Sequence, residues 1–248
     1  MIELQTINPK EAPIVLQRWE QEDFYYTGMK TSIAAKVNMA ARPNPYLQNN
    51  EPVATTELVK FDLPLTGPLE VVYLDGKSDA GLPHTRGKKG IALPIFLLWH
   101  PSEKTIQHEL VHLSQKQYKD IWWKFYLTHW NFRPASEKQF LAIPEKWRSR
   151  RRINPDTLGT PYTVWKDRYM PLSVFTSEET PDLRYCNRGF WDLKMSQLTW
   201  EEPPDWIKTF GKGFNDEHPN EIAAHWIDGS AGEEKKKYIL GHIKLQDQ

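Results

Sequence analysis

The chain has 248 residues, 32 Lys and Arg against 32 Asp and Glu, and one cysteine, Cys186. Balanced charge gives no overall field to draw in nucleic acid or an anionic membrane, and a lone cysteine excludes both an internal disulfide framework and a cysteine-rich structural zinc site. The length suits one domain with a substantial apolar core, so residues 1–248 are read as a single domain with a weakly patterned N-terminal segment, 1–66, packed on it. No secretory leader and no bilayer-spanning run is visible, so a cytoplasmic or otherwise intracellular protein without a membrane partner is expected.

In chain order, a short helix is predicted from Pro13 to Asp23 and a second from Lys30 to Ala41, ahead of a loop from Pro43 to Pro52. LEVVYL, Leu69 to Leu74, reads as a strand. A polar loop, DGKSDAGLPHTRGKKG, separates it from a second predicted strand, Ile91 to Trp99. Pro94 inside that second strand cannot donate a ladder hydrogen bond, which points to an edge or a bulge; an edge is either a place where an extended peptide could pair or an ordinary edge covered by a loop. PSEKTIQHELVHLSQKQYKD follows as a helix with Ser102 as N-cap and an apolar stripe of Ile106, Leu110, Leu113 and Ile121. The aromatic run DIWWKFYLTHWNF is too dense for a solvated face and reads as core, with His129 buried in it rather than bound to a metal. EKWRSRRR, ending in the Arg148 to Arg152 run, reads as a solvated helix end, with a phosphate contact as the alternative. Two or three strands or extended loops are expected between Thr157 and Trp200, and a last helix opening at Pro219 or Asn220.

The chemistry concentrates in His108-Glu109-Leu110-Val111-His112. Residues four apart on a helix lie on one face, so the two imidazoles converge while Glu109 stands beside them as a general base for a metal-bound water. Catalytic zinc takes three protein ligands and keeps one position for water. In DEHPNEIAAHWIDG, Glu221, Ala224, His225 and Asp228 share a helical face, and Glu221 is the expected third ligand. Ala223 and Ala224 would let this helix approach the first closely. His218 and His225 are the alternatives for that place.

His108-Glu109-x-x-His112 followed by a glutamate on a second helix resembles the gluzincin division of zinc metallopeptidases, and Pro-x-Glu-x-x-Ala around Glu221 is similar to the third-ligand helix of small lethal-factor-like and MtfA-like members. The resemblance covers about residues 68–128 and 214–230. It implies an α+β, zincin-like core: a small mixed or antiparallel sheet packed on the motif helix, and a second ligand helix. It also implies a Zn2+ cofactor, a protein or peptide substrate and hydrolysis of its peptide bonds. Such enzymes need a donor for the tetrahedral oxyanion, for which Tyr185 and His218 are the candidates, with Arg184, Arg188 and Tyr169 behind them. The resemblance departs at His225, where the thermolysin-like branch carries an aspartate that holds a ligating histidine; Asp228, one turn on, or a backbone carbonyl is the expected substitute. A zincin-fold structural or binding protein without turnover is the second reading, and nucleic-acid binding through the arginine run is the third.

Overall fold

The computed structural model describes residues 1–29, 56–76, 78–177, 183–214 and 217–243. The helix expected over Lys30–Ala41 and the loop over Pro43–Pro52 lie outside these residues. The first half runs β1 (Ile2–Thr6), α1 (Ala12–Asp23), α2 (Tyr25–Met29), β2 (Thr56–Val59), β3 (Leu69–Leu74), β4 (His84–Arg86), β5 (Gly90–Pro94), α3 (Phe96–Trp99), α4 (Glu103–Gln117) and α5 (Lys119–His129). The second half runs β6 (Phe132–Pro134), α6 (Glu137–Leu141), α7 (Glu145–Arg148), β7 (Thr163–Trp165), β8 (Tyr169–Phe175), β9 (Cys186–Asp192), β10 (Gln197–Thr199), α8 (Pro204–Phe210), α9 (Pro219–Ile227) and α10 (Glu233–His242). The architecture is α+β, with one mixed sheet in the order β2-β1-β3-β5-β4 and one antiparallel sheet in the order β10-β9-β8-β7-β6. Among the described residues no helix is long and apolar enough to cross a membrane.

Strand alternation explains the layers around the mixed sheet. Leu69, Val71, Ile91 and Leu93 point to one face and share a core with Leu110, Val111 and Leu113 of α4 and Ile222, Ala223 and Ala224 of α9. Val72, Leu74 and Ala92 point to the other face and meet Ala12, Val15 and Trp19 of α1. A Cβ on Gly90 would overlap the Trp19 indole, so a glycine is required where α1 seats on the sheet. Leu110 and Leu113 are fully buried, each contributing about 1.5–3 kcal/mol to holding α4 against the strands. The antiparallel sheet repeats the pattern: Phe190 joins the central core, while Met170, Leu172, Val174 and Trp191 form a separate cluster on the outer face.

Three expectations are corrected. The strand predicted over Ile91–Trp99 ends at Pro94, because Ile95 turns helical (φ −53°, ψ −29°) and Phe96–Trp99 form a helical turn. Nor is β5 an edge: it lies between β3 and β4, and β4, inside the segment read as a polar loop, takes the edge. Pro94 therefore marks the strand's end, where a missing donor costs the ladder nothing. The stripe through Ile121 is also interrupted, since α4 stops at Gln117 and Tyr118 (φ −119°, ψ 48°) begins α5. Ser102, however, caps α4 as expected, its Oγ accepting from the Thr105 N–H at 3.2 Å.

Edge strand β4 is tied to α1 by a fully buried arginine. Arg86 donates to Asp23 through Nε (2.8 Å) and Nη2 (2.9 Å) and to Glu20 through Nη2 (2.9 Å), and its guanidinium lies over the Tyr25 and Tyr26 rings. Burial works to raise the Asp23 pKa, but the Arg86 bonds outweigh it and hold the carboxyl below its usual range. Replacing Arg86 by methionine removes the one cation that Asp23 and Glu20 share and leaves their charges to backbone N–H groups and the Thr27 hydroxyl. We expect Arg86→Met to lower unfolding free energy by about 3–5 kcal/mol, measured as a shift of the urea midpoint at constant slope.

Candidate metal centre

Helices α4 and α9 pack directly on each other, with Ala223 and Ala224 fully buried in the shared core. This close approach brings Glu221 across to the motif histidines. The His108 and His112 ring centroids stand 4.8 Å apart. Glu221 Oε2 lies 3.6 Å from His108 Nε2 and 3.5 Å from His112 Nε2. Three ligands held about 2.1 Å from one tetrahedral ion stand roughly 3.4 Å from one another, so these spacings fit a shared metal.

The orientation of each ligand is set by a neighbour. Gln115 Nε2 donates to the Asn220 carbonyl (3.0 Å), which can only accept, so the amide oxygen of Gln115 faces His112. His112 Nδ1 therefore donates to Gln115 Oε1 at 2.9 Å, which leaves the Nε2 lone pair directed at Glu221. That Nε2 is buried and makes no hydrogen bond. His108 Nδ1 meets Asp228 Oδ2 at 2.9 Å, so Asp228 takes the part expected of it. Asn154 Nδ2 donates to Glu221 Oε1 at 2.6 Å and turns Oε2 toward the imidazoles. Burial pushes the Glu221 pKa up, but His112 and His108 outweigh it and hold the carboxyl well below its ordinary range. The space between the rings thus favours positive charge.

Two groups of side chains here could hold a metal ion: His108, His112 and Glu221, and His108, His225 and Asp228, the ligand atoms of each lying within 4.8 Å of one another. In the second group His108 uses its Nδ1-side partner Asp228, the bond that orients its ring for the first. His225 packs edge-on against His108 at 4.8 Å between centroids, and Asp228 lies 3.5 Å from its Nδ1.

Glu109 is buried beside the imidazoles, and its Oε2 has no hydrogen-bond partner. Burial, then the charge of Asp156, pushes its pKa up to about 8 against the opposing pull of His108 and His112. Asp156 opens on the cleft and accepts from the Thr85 N–H (2.6 Å) and hydroxyl (2.7 Å). The cleft holds about 550 Å³, and Lys104, Arg152, Arg184 and Arg188 also line it.

The other predicted site residues fall elsewhere. Tyr185 is 60% exposed just before β9 and does not line the cleft. His218 is the N-cap of α9, its Nδ1 accepting from the Asn220 N–H at 3.1 Å; it lines a separate cavity of about 220 Å³, and burial brings its pKa down to about 4. The arginine run turns inward. Arg150 donates to the Phe175 and Thr176 carbonyls, Arg151 lies over Tyr162, and Arg152 reaches the cleft, 4.0 Å from Glu217. Gln115, Asn154, Asp156 and Arg152 escaped the sequence reading as site residues. For Gln115 the signal was available, three positions after His112 on the same helix; the others are local to nothing in the motif.

No protein-family model, curated protein or solved structure matches the chain. Two imidazoles and a carboxylate, each fixed by a hydrogen bond on its far side, form a preorganised ligand set with a buried acid next to it. Gln115→Leu should leave helix content intact and weaken metal binding by roughly 10–100-fold, measured by competition with a coloured chelator.

Proposed function

We propose that the chain is a zinc-dependent metallopeptidase of gluzincin type that hydrolyses peptide bonds in a protein or peptide substrate. The supporting observation is the convergence of His108 Nε2, His112 Nε2 and Glu221 Oε2, with each imidazole's Nδ1 committed to an acceptor. Nitrogen and oxygen donors in this number suit zinc and leave a coordination position for a reactant. A zinc ion held there supplies Lewis acidity toward a water molecule and toward the substrate carbonyl.

The remaining work falls to the chain. Glu109 Oε2, buried and without a hydrogen-bond partner, takes a proton from the attacking water. Water oxygen joins the carbonyl carbon, the C–N bond breaks, and Glu109 returns the proton to the departing amine. Its burial keeps the carboxyl's affinity for that proton high enough to hold it between the two steps. Asn154 keeps Glu221 from rotating, and Asp228 and Gln115 keep the imidazoles in the tautomer that presents Nε2. Arg152 stands in the cleft wall, its charge coupled first to Glu217 and then to Glu221, suited to the negative oxygen that develops on the carbonyl.

The test is Glu109→Gln. It should retain stoichiometric zinc by elemental analysis and lose about 10²–10⁴-fold in cleavage of a mixed fluorogenic peptide set. A wild-type chain that holds no zinc, or a variant as active as wild type, would overturn the proposal.

A further inference from the structure

A pocket of about 680 Å³ that shares no lining residue with the metal cleft is lined by four lysines: Lys88 and Lys89 from the turn between β4 and β5, Lys116 from the last turn of α4, and Lys119 from the start of α5. Glu22 and Asp23 are the carboxylates in its lining. Asp23 is already engaged by Arg86 and by the N–H groups of Gly87 (2.8 Å) and Tyr25 (3.0 Å). None of the four lysines is ion-paired among the described residues; the lysines that do pair, Lys60 with Asp62 and Lys166 with Asp205, lie elsewhere. In a chain of zero net formal charge, this sets four ammonium groups against two carboxylates in one concave site.

Lys116 sharpens the point. It is 7% exposed, and its ammonium has one hydrogen-bond acceptor, the Thr85 carbonyl at 3.1 Å. An ammonium has three N–H groups, and burying one with a single neutral acceptor is costly. Burial brings its pKa down to about 8 even though Asp156 and Asp23 act to raise it. An anion in the pocket would compensate the buried charge. At the rim, Phe24 ends α1 at positive φ (53°) with 61% of its surface exposed, and Leu158 lines the wall. These supply an apolar face beside the cationic one.

We propose that this pocket binds a small, multiply charged phosphate compound of nucleotide size, its phosphates held by Lys88, Lys89, Lys116 and Lys119 and its uncharged part set against Phe24 and Leu158. The volume lies in the range of small-molecule sites, and ammonium–phosphate hydrogen bonds are of the stronger, charge-assisted kind. The assignment is independent of the chemistry proposed for the metal centre.

The experiment uses the full chain as purified, with ATP as probe and titration calorimetry as readout, and lysine acetylation read by mass spectrometry to locate the bound probe. One site per chain is expected, with the exposed Lys88, Lys89 and Lys119 protected from acetylation by bound ATP. The double variant Lys88→Gln/Lys119→Gln changes only exposed side chains and should fold normally; it should bind about tenfold more weakly or worse. Raising ionic strength should weaken wild-type binding in the same direction. Absence of binding at millimolar ATP would overturn the proposal, as would undiminished binding by the double variant. Loss of binding in Arg152→Gln but not in the double variant would overturn it too, by moving the site to the metal cleft. So would binding of a single-stranded oligonucleotide by a chain that ignores ATP.

Discussion

Burying the Glu221 carboxylate against two imidazoles is the constraint on which the rest of this structure turns. A carboxylate taken out of water is costly unless it is paired and hydrogen-bonded, and here the compensation comes from three directions at once. The rings of His108 and His112 face one oxygen and the Asn154 amide holds the other. Small residues make that arrangement reachable. With Ala223 and Ala224 at the contact, α9 comes close enough to α4 for a glutamate to bridge the gap, and larger side chains there would hold the helices apart. The mixed sheet supplies the flat apolar wall that prevents α4 from yielding under this load.

The antiparallel sheet serves the same centre less directly. Its Trp165 and Phe190 join the central core, while the segment leading into β7 bonds to Glu221 of α9 and to Thr85 of β4 and carries Asn154 and Asp156 to the cleft. Asn154 caps a short 3-10 turn, Pro155–Thr157, that contains Asp156, and the Asn154 side chain accepts from the Asp156 N–H at 3.0 Å. One local turn thereby fixes two side chains with different tasks, one steadying a ligand and one adding negative charge beside Glu109.

Local features were legible in the sequence and long-range ones were not. Strand Leu69–Leu74 and the Ser102 cap follow directly from alternation and from hydroxyl chemistry at a helix start. The ligand pair and Glu221 were readable because spacing on a helix fixes which side chains share a face. The end of β5 was not, since an apolar run such as IALPIFLLW has no period that separates strand from helix, and its proline admits an edge, a bulge or a terminus. Strand order decided among these, and strand order is a tertiary property. Arg150 to Arg152 show the same limit. Their sequence reads as a solvated basic run, and only the fold reveals that backbone carbonyls, an aromatic ring and the cleft each take one guanidinium.

His108 and its partner Asp228 are 120 positions apart in the chain, and Asn154 lies between them. During synthesis the two imidazoles are therefore exposed to the growing chain long before their carboxylates exist. A partly made polypeptide holds a helix with two histidines and no third ligand, no orienting aspartate and no closed cleft. The side chains that could hold a metal ion therefore come together only once nearly all of the described fold has been built.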